Sequence, residues 1–408
     1  MYHLFEKFGI ELEYMIVNKD LRVFPITDKI IESANGTVEN EIRRGELSWS
    51  NELVLHVIEI KTGSPVNSLN GLAQKFHESV KDINRIADKF GGVLVGGPMH
   101  PFMDPYNEMY LWPHGYNSIY ESFNRIFSCK GHGWSNLQSM HINLPFANDE
   151  EFGRLHAAIR FLLPLIPALS AGSPIVDGKV SGFMDTRMEV YRTNSSLIPS
   201  ITGEVIPEPV YSISEYHEKI LQKIYDDLAK YDKDSVLQHE WVNARGAIAR
   251  FERNTIEIRV IDAQETPFAD IAIAAVIAGV LKQLAFQKFC SYESQKQFET
   301  PLLKEIFLNV IKNGEKAIID NPCYLHCLGI KQDFCSAAQV WSQLIDTIIL
   351  ENSTSIAPFY SALEIFKKQG TLASRILKAV GNEPDGEKIL SVYRSLSDCL
   401  DQGKLFTG

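Results

Sequence analysis

The sequence lacks several features that would each place it in a well-defined class of protein. It contains no block of lysine and arginine, and its net charge is −11 at pH 7, so a broad nucleic-acid-binding or acidic-membrane-binding surface is not expected. Six cysteines in 408 residues are too few for a disulfide framework, which favours a soluble protein of the reducing cytoplasm. The N-terminal stretch MYHLFEKFGIELEY carries charges where a signal peptide needs an apolar run.

Long hydrophobic runs are also missing. The longest are FLLPLIPAL at Phe161–Leu169 and IAIAAVIAGVL at Ile271–Leu281. Both are shorter than the roughly 20 residues that cross a bilayer, so we predict two buried helices and no membrane partner. Because 45% of the residues are hydrophobic, the chain can still build a large core, and no Pro/Ser/Gly linker divides it.

Strand signals fill the first half of the chain, and helical signals dominate the second. Apolar stretches broken by glycine and proline predict strands at Ile10–Asn18, Leu53–Lys61, Gly92–Gly97, Leu137–Leu144, Ala247–Arg253 and Thr255–Ile261. Apolar residues near the 3.6 period predict helices at Leu69–Phe90 and Glu215–Tyr231, and the chain is predicted to be helical after Asp270. This order favours one α+β domain with a helical C-terminal part.

The predicted strands share one arrangement of faces. In FGIELEY, Glu11 and Glu13 point to one face, and Ile10, Leu12 and Tyr14 point to the other. The same alternation runs through SMHINL and RNTIEIRVID. A sheet that is apolar on one side and polar on the other is typical of antiparallel pairing, with helices on the apolar side. For any single strand the polar face could simply meet water, but such a face usually carries Lys, Thr and Ser.

The polar face instead carries a set of side chains that suits divalent cations. These side chains are Glu11, Glu13, Glu59, His141 and Glu257. Carboxylates with an imidazole fit Mg²⁺ or Mn²⁺, and several carboxylates cannot stay ionised together without cations between them. Arg259 lies on the same face as Glu257 and fits phosphate or carboxylate binding. Metals and arginines on one sheet predict phosphoryl transfer from a nucleotide. The sequence contains no GxxxxGK[ST] motif, so a P-loop is not expected to bind that nucleotide.

Six stretches of the chain resemble a known family in their sequence and their order. They are FGIELEY, VIEIKTGSP (Val57–Pro65), GGPMHPF (Gly96–Phe102), LQSMHINLPF (Leu137–Phe146), GFMDTR (Gly182–Arg187) and RNTIEIRVID (Arg253–Asp262). The family is the glutamate–cysteine ligase type 2 and carboxylate–amine ligase family, whose fold is like the catalytic domain of glutamine synthetase. The resemblance implies a curved antiparallel sheet of that type in residues 1–290, its apolar face covered by helices, and a helical C-terminal extension in residues 291–408, packed on the same domain.

The resemblance also implies an activity. The family uses ATP with Mg²⁺ or Mn²⁺ to convert a carboxylate, typically the γ-carboxylate of glutamate, into an acyl phosphate. An amine, typically that of cysteine, then attacks it, which is a step of glutathione biosynthesis. The implied partners are small-molecule substrates, namely amino acids such as glutamate and cysteine. No nucleic acid and no membrane are expected as partners, and a homo-oligomer is possible. Pro98–Met99 stands where the family has a small polar pair before His100, which leaves the acceptor amine open.

Carried over residue by residue, the resemblance assigns six metal ligands and four arginines. Glu11, His141 and Glu257 would bind the metal beside the ATP phosphates. Glu13 and Glu59 would bind the metal nearer the acyl phosphate, with Glu52 as a candidate third ligand. Arg187 and Arg259 would contact phosphate or substrate carboxylate during catalysis, and Arg192 and Arg253 would contact the nucleotide.

Two other functions remain open from the sequence. One is a phosphotransferase of the guanidino-kinase-like type, which usually relies on a reactive cysteine, but Cys129 and Cys290 lie in no recognisable active-site pattern. The other is a non-catalytic nucleotide-binding homologue, which the intact carboxylate set disfavours. Cys323, Cys327 and Cys335 lack the paired spacing of a zinc site and are predicted to be buried thiols of a helical region.

Overall fold

The computed structural model describes residues 1–351 and 353–408, and its strands form one large sheet and two small ones. The strands are β1 (Gly9–Asn18), β2 (Glu41–Arg44), β3 (Leu47–Asn51), β4 (Val57–Thr62), β5 (Gly92–Val95), β6 (Ser139–Pro145), β7 (Ile175–Val176), β8 (Lys179–Val180), β9 (Ala247–Arg250), β10 (Thr255–Asp262), β11 (Ile318–Ile319) and β12 (Cys335–Ser336). The large sheet is antiparallel, in the order β2-β3-β4-β1-β6-β10-β9, with β5 paired to the C-terminal end of β1. The small sheets pair β7 with β8 and β11 with β12.

Helices cover the sheet and dominate the C-terminal third of the chain. They are α1 (Thr27–Asn35), α2 (Leu72–Ala87), α3 (Pro105–Glu108), α4 (Asn117–Phe127), α5 (His132–Ser135), α6 (Asp149–Leu162), α7 (Pro167–Ser170), α8 (Thr186–Tyr191), α9 (Ile213–Tyr216), α10 (Gln222–Leu228), α11 (Pro267–Ala285), α12 (Tyr292–Lys296), α13 (Thr300–Asn313), α14 (Pro322–His326), α15 (Ala337–Glu351), α16 (Ser353–Ile356), α17 (Tyr360–Gln369), α18 (Leu372–Val380) and α19 (Gly386–Gln402). A π-helical turn, His217–Leu221, joins α9 to α10.

One face of the sheet builds the main hydrophobic core. Ile10, Leu12, Tyr14 and Ile16 alternate along β1 and are fully buried there. The helices α2, α6 and α11 contribute to the same core, and α11 packs against both of the others. The predicted α+β fold, with an antiparallel sheet and helices on its apolar face, is therefore confirmed.

The other face of the sheet is divided along β1. Glu11 and Glu13 lie in its N-terminal half, whereas Met15 and Val17 belong to a second core to which α18 and α19 contribute. These two helices therefore close one end of the polar face and leave the carboxylates on the floor of a cavity. The division of the chain into a catalytic domain and a C-terminal extension stays a prediction.

Some predicted elements differ from those observed. The strand expected from Leu53 begins at Val57, because Val54 forms a bridge with Leu111 instead. The β2–β3 hairpin was not predicted, since its sequence is polar and its turn depends on Gly45 in the left-handed region, at φ +66°. The helix expected at Glu215–Tyr231 is formed by α9, the π-helical turn and α10.

The helix α11 is longer than the apolar run from which it was predicted. The apolar run at Ile271–Leu281 is extended on both sides, so α11 has 19 residues and is long and apolar enough to cross a membrane by those two criteria. However, 83% of its most apolar stretch is buried inside the fold. The prediction of a buried helix is confirmed, although its reason, that the run is too short, was wrong.

Candidate active site

The registers of four neighbouring strands place the predicted site residues in one row. Glu11 of β1 lies opposite His141 of β6, and Glu13 lies opposite Glu59 of β4. On the next strand, β10, Glu257 lies opposite the neighbouring residue Asn143 of β6. Directly opposed residues of an antiparallel pair point to the same face. The carboxylates that the alternation pattern singled out therefore meet across β4, β1, β6 and β10.

The first cluster joins Glu11, His141 and Glu257, whose candidate ligand atoms lie within 4.8 Å of one another. Nδ1 of His141 is 3.0 Å from Oε2 of Glu11 and 4.0 Å from Oε1 of Glu257. Burial would raise the pKa of Glu11, but the hydrogen bond and charge of His141 hold it well below its usual range. Burial would lower the pKa of His141, but the hydrogen bond to Glu11 and the surrounding carboxylates raise it. This ion-pair geometry favours an imidazolium in the absence of a bound cation.

The second cluster joins Glu13 and Glu59 to the same histidine, again within 4.8 Å. The backbone N–H and the hydroxyl of Ser139 donate to Oε2 of Glu13, at 2.7 and 2.9 Å. Ser50 donates to Oε1 of Glu59 at 2.7 Å. Burial raises the pKa of Glu59, even though the ammonium of Lys61 opposes that shift.

Both clusters fit a small divalent cation. Their donors are carboxylate oxygens and one imidazole, with no thiolate, which suits Mg²⁺ or Mn²⁺. Four carboxyl groups and one imidazole lie side by side on a mostly buried floor. Carboxylates so close together need cations between them to stay ionised. The metal-binding role of each residue remains a prediction.

Glu52 lies in the same cavity without belonging to either cluster. It lines the cavity near β3, but among the described residues the two metal-sized groups do not include it. Burial, together with the charges of Glu13 and Glu59, raises its pKa well above the usual range. Its proposed place as a third ligand is therefore less well supported by the geometry than the places of Glu13 and Glu59.

The described cations that line the cavity each face a carboxylate. The pairs are Lys61 with Glu59 at 2.9 Å, Arg250 with Glu257 at 3.0 Å, Arg259 with Glu257 at 2.7 Å, Arg253 with Glu11 at 3.8 Å, and Arg187 with Asp262. The last pair is completely buried, so Arg187 also supports the fold. Arg259 lies at a bulge in the β6–β10 pairing, a feature that re-aims side chains.

The structure separates two arginines that were assigned to the nucleotide. Arg253 lies at the mouth of the cavity with 54% of its side chain exposed. Arg192 is not among the residues that line the cavity, and its guanidinium instead binds Glu189 at 2.8 and 2.7 Å. A nucleotide-binding role for Arg192 has no geometric support.

Sequence reasoning missed two parts of the site. Lys61 follows Glu59 by two residues in a strand, so the period of two could have placed it on the same face. The aromatic wall, which we define as Tyr120, Phe123, Trp134 and Trp241, also lines the cavity. Its residues come from α4, α5 and the segment before β9, and no local sequence motif indicates that they line one cavity.

A side cavity of about 470 Å³ adjoins the main cavity, which has about 480 Å³. It is lined by Tyr2, Phe8, Asn143 and Thr255, among others, and it shares Arg253 with the main cavity. The two cavities therefore meet beside Glu11, Glu41, Lys61 and Arg253, which line both of them.

Comparison with known proteins gives the family. The model of glutamate–cysteine ligase family 2 matches residues 7–314. A protein of Archaeoglobus fulgidus described as uncharacterized is 39% identical over 98% of this chain and 99% of its own length. A protein of Dechloromonas aromatica with the provisional name glutamate–cysteine ligase 2 is 25% identical over 82% of this chain and 80% of its own length.

Two solved structures share the fold. The glutamate–cysteine ligase of Francisella tularensis, solved in complex with AMP, matches 97% of this chain and 89% of its own, with a TM-score of 0.62 and 13% identity. A bifunctional glutathione synthetase from Pasteurella multocida gives a TM-score of 0.62 at 12% identity, over 97% of this chain and 53% of its own. Because the family model spans about three quarters of the sequence, the chain belongs to glutamate–cysteine ligase family 2 and is thereby an ATP-dependent carbon–nitrogen ligase.

Proposed function

We propose that the protein joins an amino-acid carboxylate, with glutamate the first candidate, to an amine through an acyl phosphate. A carboxylate oxygen of the acid attacks the γ-phosphorus of ATP, which gives the acyl phosphate and ADP. The amine nitrogen then attacks the acyl carbon, inorganic phosphate leaves with the electrons of the C–O bond, and the nitrogen loses a proton. The observation that carries this proposal is the row of carboxylates on both sides of His141.

Each cluster has a role in this reaction. Glu11, His141 and Glu257 would hold one Mg²⁺ or Mn²⁺ beside the nucleotide phosphates, and Glu13 and Glu59 would hold another nearer the acyl phosphate. When bound, such ions neutralise the charge on the transferring phosphoryl group. No covalent protein nucleophile is required, so the chain's main contribution is to position the reactants and supply preorganised charge.

The side cavity supports a placement of the nucleotide. It opens beside Glu11 and shares Arg253 with the carboxylate floor. A nucleoside in the side cavity would direct its phosphates past the Arg253 guanidinium towards the first cluster. Arg259, which carries a planar fork of donors, lies next to Glu257 on the same path.

The alternative functions receive less support. The described residues that line the main cavity include no cysteine, whereas a guanidino-kinase-like phosphotransferase would usually need one. Cys129 is buried in the second core, and burial raises its pKa to about 12. A non-catalytic homologue would have no use for an intact and electrostatically costly carboxylate row.

A hydroxamate assay tests the ligase chemistry without requiring the natural acceptor. The protein is incubated with ATP, Mg²⁺, hydroxylamine and a series of acidic amino acids that starts with glutamate. We expect ADP and the acyl hydroxamate to form in equal amounts and EDTA to abolish both. Glu257→Gln should remove the activity, and Glu46→Gln, at an exposed carboxylate outside the cavity, serves as the control. ADP release that is independent of any acid, or a stable phosphorylated product, would overturn the proposal.

The setting of this reaction is also proposed rather than observed. Amino acids as substrates, Mg²⁺ dependence, a cytoplasmic location and a place in glutathione biosynthesis are proposals that the family membership suggests. The six cysteines are free thiols in the structure, which is compatible with a reducing compartment.

A further inference from the structure

The carboxylate of Asp262 is not among the described groups that line the main cavity, but it holds a side chain that is. Its Oδ1 accepts a hydrogen bond from Nε of Arg187, and both side chains are buried. Its Oδ2 accepts from the backbone N–H of Gly172 at 2.8 Å and from the hydroxyl of Ser173 at 3.0 Å. Asp262 is therefore engaged on both oxygens by the protein itself.

Ser173 connects the same carboxylate to the backbone of Arg187. Its hydroxyl donates to Asp262 and accepts from the backbone N–H of Arg187 at 3.0 Å. The Nη1 and Nη2 atoms of Arg187, by contrast, lie 3.4 Å from the backbone oxygen of Arg259, which is long for a hydrogen bond. Because Arg187 lines the main cavity, these two nitrogens carry the donors that can bind an anionic oxygen there.

A second buried carboxyl group, that of Asp185, belongs to the same network. Its Oδ1 accepts from the backbone N–H of Met188 at 2.8 Å at the start of α8, and its backbone forms a bridge with Ser173. Among the described residues, no N–H or O–H donates to its buried Oδ2. Burial, and after it the charge of Asp262, raise the pKa of Asp185 well above the usual range. One guanidinium thus faces two buried carboxyl groups, of which Asp262 is ionised and Asp185 keeps its proton.

We propose that Asp262 is the positioning residue of Arg187, and that Asp185 acts beside it as a neutral acid. Asp262 would hold Nε and so direct the remaining donors of the guanidinium at the acyl phosphate, or at the carboxylate from which it forms. Asp185 would donate its proton to Asp262 in a hydrogen bond, so that one buried carboxylate balances Arg187. Neither aspartate touches the reactants. This inference rests on the proposed ligase function and on the role of Arg187 in it.

Exchange of each aspartate for asparagine tests which of the two carries the charge. The value of kcat is measured in the hydroxamate assay, on the full chain, at saturating ATP, Mg²⁺ and acid. Asp262→Asn leaves a buried guanidinium without its counter-charge, so kcat should fall at least about a hundredfold. Asp185→Asn replaces a neutral acid by a neutral amide of the same shape, so its loss of kcat should be at least tenfold smaller. The reverse order would overturn the assignment of the charge.

A double-mutant cycle with Arg187→Lys tests whether Asp262 acts through the arginine. Lysine lacks the donor fork, so Arg187→Lys should itself lower kcat at least about tenfold. If the two residues act as a unit, the double variant should fall no more than about threefold below Arg187→Lys alone. Asp270 is the control, because its buried carboxyl group accepts from the Gln264 N–H at 2.9 Å outside the main cavity. Asp270→Asn should change kcat by the same factor with arginine or lysine at position 187.

Ser173→Ala is a milder test of the same network, in case Asp262→Asn does not fold. The change removes the hydroxyl that connects Asp262 to the backbone of Arg187, and Ser173 is not among the described residues that line the main cavity. We expect kcat to fall at least about fivefold when Arg187 is present and by much less in Arg187→Lys. An unchanged kcat in Ser173→Ala would overturn the inference.

The outcomes distinguish this inference from the proposed function. If the wild type forms no hydroxamate with any acid, the ligase proposal fails and the inference fails with it. If hydroxamate forms but Asp262→Asn lowers only Tm, with kcat per folded molecule unchanged, Asp262 is structural and only this inference is wrong. A double variant whose kcat falls by the product of the two single losses would show that Asp262 acts independently of Arg187, and it would likewise overturn the inference alone.

Discussion

Replacement of Lys61 by methionine tests the electrostatic account of the carboxylate row. The Lys61 ammonium lies 2.9 Å from Glu59 and 3.0 Å from Glu41, with 20% of the side chain exposed. Burial would lower its pKa, but the neighbouring carboxylates, Glu59 first, raise it well above the usual range. Lys61 therefore carries a full positive charge in the metal-free protein, and methionine removes that charge while keeping much of the apolar stem.

The size of the effect follows from the burial of the pair. Removal of one partner of a buried ion pair costs about 3–5 kcal/mol, but Glu59 can take up a proton in response. We therefore expect a loss of about 2–3 kcal/mol in the free energy of unfolding. With an unfolding entropy of about 2.1 cal/mol/K per residue, a chain of 408 residues loses about 3 °C of Tm.

Added Mg²⁺ should recover about half of this loss. In the variant, Glu59 no longer has an ammonium that competes with a divalent cation, so Mg²⁺ should bind about tenfold more tightly at pH 8, which adds about 1.4 kcal/mol of linked stability. Melting temperatures of both proteins are measured with EDTA and across a Mg²⁺ titration. Lys75→Met is the matched control, because its pair with Glu46 is exposed and worth only about 0–1 kcal/mol. Equal Mg²⁺ shifts in the wild type and Lys61→Met would refute the reasoning.

Three further predictions address single residues. Glu11→Gln should weaken ATP binding and Glu13→Gln should lower the single-turnover rate while ATP still binds, each by roughly a hundredfold; normal turnover in both would make these carboxylates structural. Arg259→Lys keeps the charge but loses the donor fork, so kcat should fall at least about tenfold, whereas Arg192→Lys, outside the cavity, should match the wild type. Burial lowers the pKa of His100 to about 4, so the unfolded chain takes up a proton below pH 6.5 that the folded state resists. The contribution of His100 to the free energy of unfolding is fully present above pH 6.5 and falls by about 3 kcal/mol as the pH drops to 4. His100→Gln should therefore make Tm depend less steeply on pH between 6.5 and 4. An unchanged dependence of Tm on pH would contradict the lowered pKa of His100.

The sheet and its faces could be predicted because a strand encodes them locally. Side chains two residues apart share a face, so the letters of FGIELEY already separate Glu11 and Glu13 from the core residues of β1. The family resemblance then supplied the ligand sets. The structure places His141 between the two sets. Its position follows from the antiparallel registers of β1 with β4 and β6, which cannot be read from the sequence of any one strand.

Other features depend on contacts that the sequence does not encode locally. Arg187 and Arg192 look equivalent in the sequence, but residues five apart on a helix at 3.6 residues per turn point about 140° apart. Arg187 accordingly faces the cavity, and Arg192 turns away to Glu189. The aromatic wall is a stronger example, since Phe123 and Trp241 are separated by more than a hundred residues and meet only in the tertiary structure.

The pairing of floor cations with floor carboxylates suggests how one site can serve two states. Without metal, Arg259 and Arg250 neutralise Glu257, and Lys61 neutralises Glu59, so the crowded carboxylates do not destabilise the resting fold. A divalent cation on the same carboxylates would release these side chains, and the released guanidinium and ammonium groups would then be free to face the phosphates of the nucleotide and the acyl phosphate. Metal binding and phosphate binding would thereby be coupled through shared residues, and each should strengthen the other by the same factor. This coupling would account for cations that look redundant beside a predicted metal site, because the carboxylates and the phosphates would need them in turn.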